Sequence, residues 1–312
     1  MKNTEWIDEA SKMYESGMKF CQIANKLGVE RKTVSLRLKE RGYLPDERYV
    51  RKVPVEKLRK YDYSYAEKVF DSIDTEEKAY WLGFLYADGY VSNRSNIVSL
   101  ALAEEDYDHL CKFRELFRLN DKPLTQKRKK MNGRTYLSYE FSLCDRTIKN
   151  QLIALGCIPQ KTFEIEFPSD EIVPRELKHH FIRGYFDGDG CVTSSADSIL
   201  SVEILGTQSF LEGYQEWVAL RENKVHSFKT TSIKHSMYSG IGAVYILDRL
   251  YEGATVYLER KHSKYLELRR LRMMSVKRPK SIIAEYSGKG SSQPDPRLKA
   301  LLDEAARLQQ CS

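Results

Sequence analysis

The sequence predicts an α+β protein: a duplicated core of helices and two antiparallel sheets, with a small all-α module in front. Three observations predict it. The apolar stretch "WLGFLYADGYV" (81–91) returns as "FIRGYFDGDGCV" (181–192), placing Asp189 101 residues after Asp88. Each copy is followed by the same order of patterns, alternating and then helical, twice over. The first 45 residues instead carry short helical patterns separated by glycine.

The N-terminal stretch "WIDEASKMYESG" places Ile7, Ala10, Met13 and Tyr14 on one helical side. In "FCQIANKLGVERKTVSLRLKERGY", Ile23, Ala24 and Leu27 form a short apolar face, and Gly28 provides a turn. Val29, Val34 and Leu38 anchor the helix that follows. This pattern over residues 1–45 resembles a helix-turn-helix, whose second helix enters the major groove of DNA. The resemblance makes Arg31, Lys32, Ser35, Arg37 and Lys39 the expected contacts. Residues 46–70 are basic and read as a linker suited to following a nucleic-acid backbone.

A helix is predicted over residues 79–87 and again at the second copy. Gly83 and Ala87, like Gly184 and Gly188, lie four apart and share a helical face. Glycine within a helix costs about 0.5–1 kcal/mol relative to alanine, so close approach of another backbone is expected as compensation. Gly89 and Gly190 are expected to end the helices in the left-handed conformation. Asp88 and Asp189 then fall at helix C-termini, where the dipole disfavours an acid. Two carboxylates so placed suggest a bound cation. Asp74 with Glu77 has capping-box spacing for the first helix, and Pro174 is expected to open the second.

Beyond the two aspartates, "YVSNRSNIVSLALAEED" and "CVTSSADSILSVEILGT" read as strand, polar turn, strand. The helical stretches "DYDHLCKFRELF" and "FLEGYQEWVAL" come next. Two polar hairpins follow, "LTQKRKKMNGRTYLSYEFSL" with an Asn132-Gly133 turn, and "HSFKTTSIKHSMYSGIGAVYI". "RTIKNQLIALG" and "ILDRLYEGA" close the halves as short helices. Lys161 lies 73 residues after Asp88 and Lys261 lies 72 after Asp189. The repeats are set at 71–170 and 171–270. Residues 271–312 form a linker-like tail, with a short helix in "PRLKALLDEAARLQQ".

These paired motifs, with matched flanks and lysines, resemble those of the LAGLIDADG homing endonucleases in their single-chain, two-repeat form. The resemblance covers roughly residues 70–268. It implies a pseudo-twofold αββαββα core whose motif helices pack at the axis and whose two antiparallel sheets saddle DNA. It further implies that Asp88 and Asp189 bind divalent metal, Mg2+ or Mn2+, beside the backbone of Ala87 and Gly188. Lys161 and Lys261 match lysines that hold or activate water. Tyr86 departs from the pattern at a position where an acid is common, whereas Asp187 keeps the acid. The implied function is site-specific double-strand DNA cleavage by a monomer on a long, asymmetric target. The alternative is a DNA-binding regulator or intron-splicing helper that keeps the fold without cleavage.

Composition is compatible with a polyanionic partner. The 51 basic and 44 acidic residues leave a net charge of +7 and a pI near 8.9, a modest excess. Its placement is more informative: Lys127, Arg128, Lys129 and Arg134 in the first hairpin, and Lys229, Lys234 and His235 in the second, suit phosphate and base-edge contact. No apolar run approaches the roughly 18 residues needed to span a membrane. The first residues lack a secretory apolar core. Six cysteines without a CxxC pair suggest reduced thiols, and a cytoplasmic location is expected.

Overall fold

The computed structural model describes residues 5–43, 60–194, 200–220, 225–227, 233–275 and 295–310. The chain forms two compact units, Met1–Lys60 and Tyr61–Ser312. Among its described residues the first contains three helices, α1 (Glu5–Glu15), α2 (Phe20–Leu27) and α3 (Arg31–Glu40). Their apolar faces meet in a core of Ala10, Ile23, Ala24, Val34 and Leu38. Gly28 (φ 64°) ends α2 with its N–H on Ala24 O, a left-handed turn that other residues adopt with strain. Arg41 pairs with Asp8, and Tyr43 donates to Glu15, tying the residues just after α3 to α1.

The second unit runs α4 (Glu76–Asp88), β1 (Tyr90–Val91), β2 (Ile97–Ala103), α5 (Tyr107–Leu116), β3 (Thr125–Met131), β4 (Arg134–Cys144) and α6 (Arg146–Ala154). The same order then returns as α7 (Lys178–Asp189), β5 (Gly190–Ser194), β6 (Leu200–Gly206), α8 (Gln208–Val218), β7 (His226–Ser227), β8 (Lys234–Ser239) and α9 (Ile241–Tyr251). Among the described residues two further helices follow, α10 (Glu259–Ser275) and α11 (Pro296–Gln310). Both sheets are antiparallel and have the same strand order, β1-β2-β4-β3 and β5-β6-β8-β7. In each sheet one face carries the apolar residues: Val98 and Leu100 beside Leu143 and Phe141, and Val192 and Val202 beside Tyr238. The Asn132-Gly133 turn has two positive φ values, 51° and 73°, as a two-residue hairpin with the sheet's twist requires.

Helices α4 and α7 cross at their glycines. A Cβ on Gly83 would stand 1.9 Å from Phe181 O, and one on Gly184 would stand 1.8 Å from Tyr80 O. The contacts are reciprocal: Gly83 also approaches Tyr185 N, and Gly184 approaches Phe84 N. Residues Ala79 to Tyr86 of α4 and Phe181 to Asp187 of α7 are buried on all sides. Such helices have no amphipathic stripe and are legible only as apolar runs.

Several expectations are corrected. Gly89 (φ −67°) and Gly190 (φ −86°) are extended, not left-handed, because the chain passes straight into β1 and β5. They are glycines for lack of room: a Cβ on Gly89 would meet Leu85 O at 2.5 Å, and one on Gly190 the Phe186 ring at 2.1 Å. Thr75, not Asp74, caps α4, its hydroxyl accepting from Lys78 N. Asp74 instead pairs with Lys78 at 2.8 Å. Pro174 opens a 3-10 turn, Arg175–Leu177, and α7 begins at Lys178. The second hairpin stops at Ser239, because "IGAVYI" is the first half of α9.

The linker boundary at residue 70 is also corrected. Tyr63, Ala66, Val69 and Phe70 are buried in the main core around a 3-10 turn, Ala66–Lys68. Residues 44–59 lie outside the described residues. The boundary at residue 270 falls inside a helix, since α10 runs from Glu259 to Ser275. In the tail, α11 has 15 residues and buries Leu298, Leu301, Leu302 and Ala305. Arg269 of α10 bridges Asp248 (2.8 Å) and Glu304 of α11 (3.0 Å).

Candidate functional site

Asp88 is the last residue of α4 and Asp189 the last of α7. The crossing of these helices brings their ends together. A Cβ on Gly188 would lie 2.4 Å from Ala87 Cβ and 3.3 Å from an Asp88 carboxylate oxygen, so a side chain there would intrude on the acid. Asp88 keeps solvent access, yet the surrounding protein removes enough water to push its carboxyl up, against the pull of Lys261 and Lys161. Burial pushes Asp189 to about 6, the neighbouring Asp88 charge adds to the rise, and Lys161 and Lys261 oppose it. Desolvation and like charge together are how paired carboxylates come to prefer a proton or a cation.

The two predicted lysines converge on the same place. Lys161 lies in a 3-10 turn, Lys161–Phe163, and its Nζ donates to Gly89 O. Lys261 lies in the first turn of α10, and its Nζ donates to Gly190 O (2.6 Å), Phe186 O (2.8 Å) and Gly188 O (3.1 Å). Gly89 and Gly190 follow the two aspartates, so each lysine grips the corresponding carbonyl. The fit differs: Lys161 is partly exposed, whereas Lys261 is buried and pushed down to about 8 by desolvation. A cavity of about 200 Å3, lined by Ala87, Lys161, Tyr185 and Asp189, sets the first half's lysine beside the second half's acid.

The donor set bears on which ion fits. Among the described residues, no group of three or more His, Cys, Asp or Glu side chains forms a cage. The site offers two carboxylates and flanking helix-end carbonyls, of which Gly188 O already accepts from Lys261. Few hard oxygen ligands, with the remainder from water or phosphate, suit Mg2+ or Mn2+, and no thiolate or imidazole cluster favours zinc. The residues therefore fit a hard divalent ion.

Register sorts the expected nucleic-acid contacts. On the open face of the first sheet lie Lys127, Lys129 and Arg134, with Tyr136 and Glu140. Arg128 pairs with Leu137 and so projects to the opposite face, donating to Gln126. In the second sheet the open face carries Cys191, Glu203, Met237 and His235. Lys234 is opposite Gly206, on the core-side face. Lys229 lies outside the described residues. In the first unit Arg31, Lys32 and Lys39 are exposed, Ser35 is half-buried, and Arg37 pairs with Glu40 at 2.8 Å.

Three features went unnoticed in the sequence. Leu36, 56% exposed, occupies the centre of the outer face of α3, opposite Val34 and Leu38; the signal was its two-residue spacing from both. Glu140 and Glu203 place acids on the open faces, joined to Lys127 (2.8 Å) and His235 (2.5 Å). Asp187 is buried and accepts from Tyr80, Tyr251 and the Leu258 N–H, partners no local pattern reveals.

No family model and no curated protein matches the chain. Solved structures similar to it include LAGLIDADG homing endonucleases. One is the I-LtrWI LAGLIDADG homing endonuclease bound to target DNA, at 12% identity and TM-score 0.44, over 76% of this chain and 97% of that one. Another is the homing endonuclease I-WcaI bound to its DNA recognition sequence, at 10% identity and TM-score 0.46, over 67% of this chain and 97% of that one. Full-length DUF199/WhiA from Thermatoga maritima is also similar, at 11% identity and TM-score 0.38, over 81% of this chain and 98% of that one. Among the described residues no helix is long and apolar enough to cross a membrane.

Proposed function

We propose that the chain is a site-specific endonuclease that hydrolyses both strands of double-stranded DNA with the help of Mg2+ or Mn2+. The observation that carries this reading is the meeting of Asp88 and Asp189 at adjoining helix ends, with one lysine from each half anchored on the carbonyl that follows each acid. Asp88 and Asp189 would hold the ion. When bound, it polarises a phosphate oxygen and lowers the pKa of a ligated water. Lys161 and Lys261 place positive charge beside the acids, where it offsets charge on the scissile phosphate; Lys161, bonded to one carbonyl, can also orient water, whereas the three donors of Lys261 are taken up by carbonyls. The two open sheet faces, with Lys127, Lys129 and Arg134 on one and His235 on the other, supply phosphate and base contacts on either side. The N-terminal three-helix unit reads further sequence through α3, which makes the target long and asymmetric and lets a monomer serve.

The alternative, a regulator or splicing helper without cleavage, requires the same DNA contacts but not the pairing of acids and lysines. A randomised duplex library incubated with the protein and Mg2+ tests the proposal. Recovery of cut molecules that share one sequence is the expected result. Bound but uncut duplex under Mg2+ and Mn2+ would favour the alternative.

A further inference from the structure

Asp187 is 1% exposed and lies between two residues whose carbonyls hold Lys261. One carboxylate oxygen accepts from Tyr80 Oη (2.8 Å) and from the backbone N–H of Leu258 (2.7 Å); the other accepts from Tyr251 Oη (2.8 Å). Leu258 is the entry residue of α10, since its carbonyl accepts the N–H groups of Lys261 (3.0 Å) and His262 (3.1 Å). The two helix ends thus hold each other. An acid from the end of α7 takes an N–H at the start of α10, and a lysine from the first turn of α10 returns to three carbonyls at the end of α7. Each charge stands at the unfavourable pole of its own helix and faces the favourable pole of the other.

The first half lacks this device. Tyr86 occupies the place of Asp187 and donates to Leu155 O, the reverse polarity. Lys161 sits in a 3-10 turn and holds the single carbonyl of Gly89.

We propose that Asp187 is a positioning residue for Lys261: through the Leu258 N–H it fixes the first turn of α10, and so keeps the ammonium docked on the end of α7. The two halves are therefore inequivalent, and the clamp serves one lysine only. The proposal rests on the cleavage reading only for its effect on strand cutting, and its main test needs no DNA.

The test is lysine acylation of the full chain by an N-hydroxysuccinimide acetate ester, read residue by residue by mass spectrometry. Docked on three carbonyls and screened from solvent, Lys261 reacts slowly in the wild type. Asp187→Asn keeps an oxygen for Leu258 N–H and is expected to keep that protection. Asp187→Ala removes the link, and Asp187→Ser leaves a small polar group that is too short to restore it. Both should acylate at Lys261 about tenfold faster, the scale of one hydrogen bond to a charged group, with Lys161 unchanged. Unchanged Lys261 in both variants would overturn the proposal. So would a joint rise at Lys161 and Lys261, which would mean that the core had simply loosened. If the chain cleaves DNA, Asp187→Ala should also accumulate nicked duplex. A chain that cuts nothing leaves the acylation result standing.

Discussion

Asp189 is held partly out of water, beside a second carboxylate. Its folded pKa is therefore raised, to about 6, from an ordinary value near 4. The stability consequence has a definite sign. A raised pKa means that the folded protein favours the protonated acid, so this contribution is full below the unfolded pKa and is lost as pH rises through about 6. Asp189→Asn removes the penalty. In metal-free buffer it should melt higher than wild type above pH 6, with the advantage vanishing near the acid's unfolded pKa of about 4. Melting temperatures of both proteins across that range check this. Mg2+ should narrow the gap by binding the wild-type acids, and an advantage independent of pH would contradict the burial argument.

Glu76 joins the start of α4 to the second half. It accepts from Arg183 Nη2 at 2.6 Å and from the N–H groups of Thr255 (2.7 Å) and Val256 (3.3 Å). Arg183 is fully buried and also donates to Val256 O and Leu250 O. Truncating Glu76 to alanine strands that guanidinium without its acid, and a loss of about 3–5 kcal/mol is expected by denaturant unfolding.

Elements carry the second class of prediction. The α4–α7 crossing leaves no room at its glycines: backbone atoms stand within 2 Å of the Cβ positions of Gly83 and Gly184. Even alanine forces the helices apart, and Gly83→Leu or Gly184→Leu should lower stability by about 1–3 kcal/mol or more. A melting temperature unchanged in both would deny the crossing. This interface was legible in the sequence because two glycines five residues before two matched aspartates are hard to explain otherwise. The faces of the strands were not legible. Alternation tells that β4 and β8 have two sides, but only the pairing of Leu137 with Arg128 and of Gly206 with Lys234 tells which side each basic residue takes. A one-residue shift in register exchanges them. The start of α9 was hidden for a related reason: Ile241 to Leu247 is buried throughout, so it shows neither period.

At the scale of the whole molecule, the order of elements was legible from the repeat, whereas packing between distant segments was not. Nothing local distinguishes Tyr63, Val69 and Phe70, which dock into the core, from a basic linker, or gives α11 its ion pair with Arg269. Asp187 was seen in the sequence as a motif position, but its partner Leu258 lies 71 residues on. The N-terminal unit has its own core, separate from that of the remainder. Removal of residues 1–45 should therefore leave the helix-end acids in place while shortening the DNA footprint on one side. If Arg31, Lys32 and Lys39 neutralise phosphates, the slope of log affinity against log salt should become shallower by about 0.9 for each phosphate no longer neutralised. Footprints and salt slopes identical to those of the full chain would contradict a DNA-reading role.

The central claim is that Asp88 and Asp189 together form a metal-dependent cleavage centre. Its most direct measurement is the cutting of library-selected DNA by wild type, Asp88→Asn and Asp189→Asn in Mg2+, with binding of the same duplex measured in parallel. The account predicts that each substitution abolishes double-strand cleavage, with nicking of one strand at most, while binding persists. Wild-type cleavage by both variants would contradict it.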